Sequence, residues 1–167
     1  MENVSRITPD PHFDHPVAQA PEARRRARSR AETVLVVDDE QVVRVAIRNV
    51  LQRHGYTVLD ASSGEDALQL LRDGAVEVDL ILTDIVMPGM SGADLVRAVR
   101  VEHPGMPIIY VSGRMADPRA RDAVAEASDG QAGQSEPWML AKPLYPAMLM
   151  AAVQGALAYR AVPQITD

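Results

Sequence analysis

Thr33-Val34-Leu35-Val36-Val37-Asp38-Asp39-Glu40 is the stretch on which the fold turns. Five apolar or β-branched residues run without a polar break and end on three acids. So short a continuous run fits a strand buried on both faces, as in a parallel sheet. The acids then stand at the carboxyl end of that strand. Open α/β sheets place their active groups there.

Downstream, strand and helix patterns alternate. Val42, Val43, Ala46, Ile47, Val50 and Leu51 recur at helical spacing, and Gly55 sits where a helix stops. Tyr56–Leu59 is a second strand, and Ser62 with Glu65 forms a capping-box pattern before Ala67, Leu68, Leu70 and Leu71. Val78–Thr83 is a third strand, and Gly92–Glu102 is a helix with Leu95, Val96 and Val99 inward. Pro107–Val111 is a fourth strand. Pro118–Ala127 is an Ala-rich helix opened by Asp117-Pro118. Gly130–Glu136 is a polar loop, Trp138–Ala141 a fifth strand and Pro146–Tyr159 the last helix. Five strands alternating with five helices predict an α/β domain whose parallel sheet is covered on both faces.

Upstream, residues 1–31 carry Pro9, Pro11, Pro16 and Pro21 and then Arg24, Arg25, Arg26, Arg28 and Arg30. Without a periodic apolar pattern this segment cannot offset its ordering entropy, so it reads as a disordered arm. The first 30 residues hold six arginines and four acids, a net of +2, and the remaining chain is −8 of the total −6. An acidic globule is a poor match for a phosphate backbone, which leaves nucleic-acid binding only to the arm. Cysteine is absent, which excludes disulfides, thiolate metal sites and a thiol nucleophile. No apolar run is long enough to span a membrane, and the polar start lacks a signal-peptide pattern, so a cytoplasmic protein is expected.

Reading the residue after each strand collects a chemical set. Asp38, Asp39 and Glu40 follow the first strand, Asp84 the third, Ser112 and Gly113 the fourth, and Lys142-Pro143 the fifth. Singly, each has a plainer reading: a solvated acid pair, a turn aspartate before Met87-Pro88-Gly89, a cap hydroxyl, a surface charge. Together they make sense. Clustered carboxylates repel unless a cation joins them, and an all-oxygen set suits Mg²⁺. An aspartate can itself be a nucleophile and form an aspartyl phosphate. Lys142 is the only lysine in the chain; every other basic side chain apart from histidine is Arg. A compact ammonium on a flexible stem suits a moving phosphoryl group.

Val34–Glu40, Asp84-Ile85-Val86-Met87-Pro88-Gly89-Met90-Ser91-Gly92, Val111-Ser112-Gly113 and Lys142-Pro143 resemble the signature segments of response-regulator receiver domains of two-component systems. They stand in that family's order and spacing over about residues 32–160, with 161–167 as a short tail. The resemblance implies a doubly wound, flavodoxin-like (βα)5 fold with sheet order 2-1-3-4-5. It implies that Asp84 takes a phosphoryl group from a sensor histidine kinase or a histidine phosphotransfer protein. Asp39 and Asp84 would ligate Mg²⁺, Asp38 would assist through water, and the Val86 carbonyl would complete the protein ligands. Ser112 and Lys142 would act on the phosphoryl oxygens, Lys142-Pro143 would be cis, and Gly113 would leave room. A downstream target protein would read the switch. With no room for an output domain after the last helix, a stand-alone receiver is expected, and a homodimer through the signalling face is compatible with it.

The chain departs from the family's pattern in places. Met139 stands where the family carries the aromatic that swings inward with the hydroxyl residue. Tyr110, on the same side of its strand as Ser112, is the candidate substitute, against the plainer reading of a core tyrosine. Leu144 replaces a common Phe, and Val86 and Arg114 flank the site where the family tunes hydrolysis. Other functions read from the same residues are a docking module indifferent to phosphorylation and an aspartate-nucleophile phosphatase. Haloacid-dehalogenase-like phosphatases place a second acid two residues after the nucleophile, and here that residue is Val86.

Overall fold

The computed structural model describes residues 30–113, 122–126 and 138–160. Most of the arm, Arg114, the start of the fourth helix, the Gly130–Glu136 loop and the last seven residues lie outside these. The elements are β1 (Thr33–Val37), α1 (Gln41–Arg53), β2 (Thr57–Ala61), α2 (Gly64–Asp73), β3 (Leu80–Asp84) and α3 (Gly92–Glu102). They continue with β4 (Ile108–Ser112), a fourth helix α4 described over 122–126, β5 (Trp138–Ala141) and α5 (Pro146–Arg160). All strand pairs are parallel, in the order β2-β1-β3-β4-β5.

Two apolar layers flank the sheet, because alternate strand residues face opposite sides. Val34, Val36, Leu80, Leu82, Ile109 and Val111 pack under α1 and α5 against Ile47, Leu51, Leu149 and Val153. Leu35, Val37, Ile81 and Tyr110 pack on the other side against Ala67, Leu95, Val96, Val99 and Val124. β1, β3 and β4 are buried along their whole length, which is why they read as unbroken apolar runs. Edge strands β2 and β5 keep exposed positions. Among the described residues no helix is long and apolar enough to cross a membrane.

Several boundaries differ from the sequence reading. β3 begins at Leu80 rather than Val78; just ahead of it the Asp79 N–H donates to Thr33 O at 2.8 Å and the Asp79 carboxylate, in place of a backbone carbonyl, accepts the Thr33 N–H at 2.8 Å. Asp79 also pairs at 2.9 Å with Arg30, which also lies 3.1 Å from Glu77. Arg30, read as part of the arm, therefore docks on the domain. Asp84 and Ser112 are the last residues of β3 and β4 rather than the residues that follow them.

The cap of α2 is Ser63, not Ser62. Its hydroxyl accepts the Asp66 N–H at 3.1 Å, while Ser62 donates to the Asp66 carboxylate at 2.7 Å. Glu65, expected to close the box, instead accepts the Met90 N–H at 3.1 Å. Two adjacent serines made the two frames look alike. We expect Ser63→Ala to cost about 1 kcal/mol, and Ser62→Ala clearly less, in urea unfolding. Equal effects would contradict this cap assignment.

Candidate functional site

The register sets the site. Val37 lies beside Thr83, Asp84 beside Val111, and Ser112 beside Ala141, so the strands end together at one rim of the sheet. Backbone bonds knit that rim: Asp38 N–H to Ala61 O at 3.3 Å, Ile85 N–H to Val111 O at 3.0 Å, and Lys142 N–H to Ser112 O at 2.9 Å. The chain leaves β3 through residues 85–91 and re-enters at α3, where the Gly92 N–H donates to Ile85 O at 3.0 Å.

The rim brings together the carboxylates that the sequence placed there. Carboxylate oxygens of Asp38, Asp39 and Asp84 all lie within 4.8 Å of one another. Asp38 and Asp84 are buried and Asp39 is exposed. Lys142 Nζ reaches into the group, 2.6 Å from Asp84 Oδ2, 2.9 Å from Asp38 Oδ2 and 3.3 Å from Glu40 Oε1. The other oxygens are oriented by the backbone, Asp84 Oδ1 by the Val86 N–H and Asp38 Oδ1 by the Glu40 N–H, each at 2.9 Å. Ser112 is buried at the end of β4, and the Lys142-Pro143 peptide is cis, as expected. Among the described residues, a Cβ built on Gly113 would meet Lys142 Cδ at 3.9 Å, an ordinary contact.

Burial shapes the charges. It pushes the Asp38 carboxyl above its ordinary value, and this outweighs the opposing bonds from Lys142 and the Glu40 N–H. Burial works against the charge on Lys142, but its hydrogen bonds to Asp84 and Asp38 and their charges win, holding the ammonium well above its usual value. One cation thus sits among several acids, and a set of hard oxygen donors of this spacing fits a divalent cation such as Mg²⁺. Because the fold disfavours charge on Asp38, Asp38→Asn should raise the metal-free thermal midpoint by a few degrees. The same change should shrink the stabilisation that Mg²⁺ gives the wild type. A fall in the metal-free midpoint would contradict this.

Three contributors were not read from sequence. Arg44 donates from α1 to the Asp38 carbonyl and lies 3.7 Å from Asp60. Glu65 tethers Met90 in the 85–91 segment, whose far end is the Asp84 backbone. Gly92 lies against that backbone: a Cβ there would be 2.0 Å from Asp84 O. A helical arginine five residues after Asp39 was the one signal for Arg44; the other two need the fold. Tyr110 is buried beside Met139, its register partner on β5, and Met139 packs against the same apolar cluster.

Comparison with known proteins places this geometry. The sequence matches the response regulator receiver domain family over residues 34–154. It is 43% identical over 102 residues to the sensor kinase CckA of Brucella abortus, covering 61% of this chain and 11% of that protein. It is 32% identical over 126 residues to the transcriptional regulatory protein YvrH of Bacillus subtilis, covering 75% of this chain and 48% of that protein. The chain therefore spans between about a tenth and about half of these relatives. Among solved structures it resembles a response regulator receiver protein from Sinorhizobium medicae (33% identity, TM-score 0.64, 78% of this chain and 97% of that one). It also resembles a receiver domain protein from Clostridium thermocellum (29% identity, TM-score 0.65, 77% and 96%). Sequence, strand order and the acidic rim agree: the chain belongs to the response regulator receiver domain family of two-component signalling.

Proposed function

We propose that this chain is a phospho-accepting switch, with Asp84 as the acceptor and a phosphohistidine of a sensor kinase or phosphotransfer protein as the donor. The observation that carries this reading is Lys142 Nζ at 2.6 Å from Asp84 Oδ2, inside a cluster of three carboxylates. An Asp84 oxygen attacks phosphorus, the new P–O bond forms as the P–N bond breaks, and the electron pair returns to the imidazole, which takes a proton from solvent. Lys142 follows the charge from the carboxylate to the phosphoryl oxygens, and Ser112, at the end of β4, donates its hydroxyl to them. Asp39 and Asp84, the Val86 carbonyl and Asp38 through water would hold Mg²⁺, which when bound offsets the negative charge shared by carboxylates and phosphoryl group.

The phosphoryl group is transferred to the chain itself, so the protein is a switch and not a turnover enzyme. Movement of Ser112 repacks its same-face neighbours Tyr110 and Met139 and so alters the surface that a target protein reads. The receiver unit occupies residues 32–160, and a cytoplasmic site of action follows from such donors.

The test is transfer from a phosphorylated histidine kinase domain. Label should leave the histidine and appear on this chain as a hydroxylamine-sensitive acyl phosphate, only with Mg²⁺ present. Retention of all label on the kinase, in the presence of Mg²⁺, would overturn the proposal.

A further inference from the structure

The bond between Glu65 and Met90 caps neither of the helices it joins. α2 is capped by Ser63, which accepts the Asp66 N–H, and α3 by Ser91, whose hydroxyl accepts the Asp94 N–H at 3.2 Å. Each helix start therefore has its own cap. Glu65, exposed in the first turn of α2, reaches out of its helix, and Met90 precedes the cap of α3. The segment so held is the one that leaves the acceptor. Residues 85–91 are closed at their base, where the Ile85 N–H bonds Val111 O and the Gly92 N–H bonds Ile85 O. Met87 is buried in the core, whereas Val86, Pro88 and Gly89 are exposed.

Two further features seat this loop on α2. Gly89 has φ +72°, in the left-handed region that glycine adopts freely, and a Cβ there would lie 3.1 Å from Glu65 Oε1. The turn at Gly89, and the space it leaves, let the carboxylate come up to the next N–H. Gly64 leaves a notch for the Met90 side chain: a Cβ on Gly64 would lie 2.8 Å from Met90 Cγ and Sδ. Glu65 and Gly64 thus take the loop by its backbone and by its side chain. What the loop carries is functional. The Val86 N–H orients Asp84 Oδ1 at 2.9 Å, and the Val86 carbonyl is the proposed backbone ligand. Glu65 is not among the carboxylates that gather at the rim, so its effect on a cation there passes through the loop. Groups that orient a metal ligand from behind set affinity much as the ligands do.

We infer that Glu65 is a positioning residue for the divalent-cation site. Its carboxylate fixes the Met90 N–H, and the loop so held presents the Val86 carbonyl and keeps the Val86 N–H on Asp84. The inference rests on the Mg²⁺ site proposed above.

Glu65→Ala should weaken Mg²⁺ binding about 10-fold in calorimetric titration, the lower end for losing a group that orients a metal ligand. Alanine suits an exposed helix position, so the variant should fold. Glu65→Gln keeps an oxygen acceptor without the charge and should bind Mg²⁺ nearly as tightly as the wild type. A second readout needs no metal. In the metal-free chain the Met90 amide proton should move upfield in Glu65→Ala and hold its place in Glu65→Gln. Wild-type Mg²⁺ affinity in Glu65→Ala would overturn the inference. So would equal weakening in both variants, which would make Glu65 a distant charge rather than a tether. Both of those outcomes leave the proposed site standing. A wild-type chain that binds no Mg²⁺ would remove the site and the inference together.

Discussion

Gly92→Ala is expected to cost at least ~3 kcal/mol of stability, although alanine is the better helix former by about 1 kcal/mol. The added Cβ would lie 2.0 Å from the Asp84 carbonyl oxygen and 3.1 Å from Ile85 Cα. Those are backbone atoms of the strand end that carries the acceptor, so neither can turn aside as a flexible side chain does. Relief requires moving α3, whose Leu95, Val96 and Val99 are fixed in the core, or moving Asp84. Either movement breaks the bond from the Gly92 N–H to Ile85 O. Urea unfolding measures the cost, and acetyl phosphate uptake should fall with it. Gly113→Ala is the matched comparison. Its Cβ has ordinary contact with Lys142 Cδ at 3.9 Å, and its effect should stay within ~0.5 kcal/mol. A Gly92→Ala variant as stable as wild type would mean that the close approach of Gly92 to Asp84 is wrong.

Lys142→Gln should slow phosphoryl uptake by about 100-fold or more, the usual scale for losing one group that stabilises developing oxygen charge. Lys142→Arg should not restore it, since a planar guanidinium cannot follow the charge from carboxylate to phosphoryl as a compact ammonium does. The loss should also be visible without any phosphate donor. Lys142 is the cation common to Asp38, Glu40 and Asp84, and removing it strands two buried carboxylates. The metal-free protein should lose about 2 kcal/mol or more, and Mg²⁺ should recover much of that. Adding Asp38→Asn to Lys142→Gln should also recover part of it, because one of the stranded charges is then gone. If Lys142→Gln takes up phosphoryl at the wild-type rate, the lysine is a structural counter-ion only.

Much of this fold could be read from the chain because the central strands are buried on both faces. Thr33–Val37 falls where its apolar run places it, and even edge strand Trp138–Ala141 and helix α3, from Gly92 to Glu102, keep their expected bounds. The acids, Ser112 and Lys142 were found together because a parallel sheet brings its carboxyl ends to one rim. Readings failed where a side chain competes with the backbone. The Asp79 carboxylate, rather than a backbone carbonyl, takes the Thr33 N–H and also holds Arg30, and Ser63 rather than Ser62 caps α2. Contacts between segments distant in sequence left no local mark. Glu65 on Met90, 25 residues away, looks like half of a capping box, and Gly92 looks like an ordinary helix start. Tyr110 beside Met139 follows from register, which alternation alone does not provide.

Intact mass after incubation with acetyl phosphate and Mg²⁺ tests the central claim most directly. Wild type should gain one phosphoryl group, lost with chelator and on hydroxylamine treatment, and Asp84→Asn should gain none. An adduct of equal size on Asp84→Asn would place the acceptor elsewhere. No adduct on wild type, from acetyl phosphate or from a phosphorylated kinase, would leave this chain a receiver fold that docks without phosphorylation.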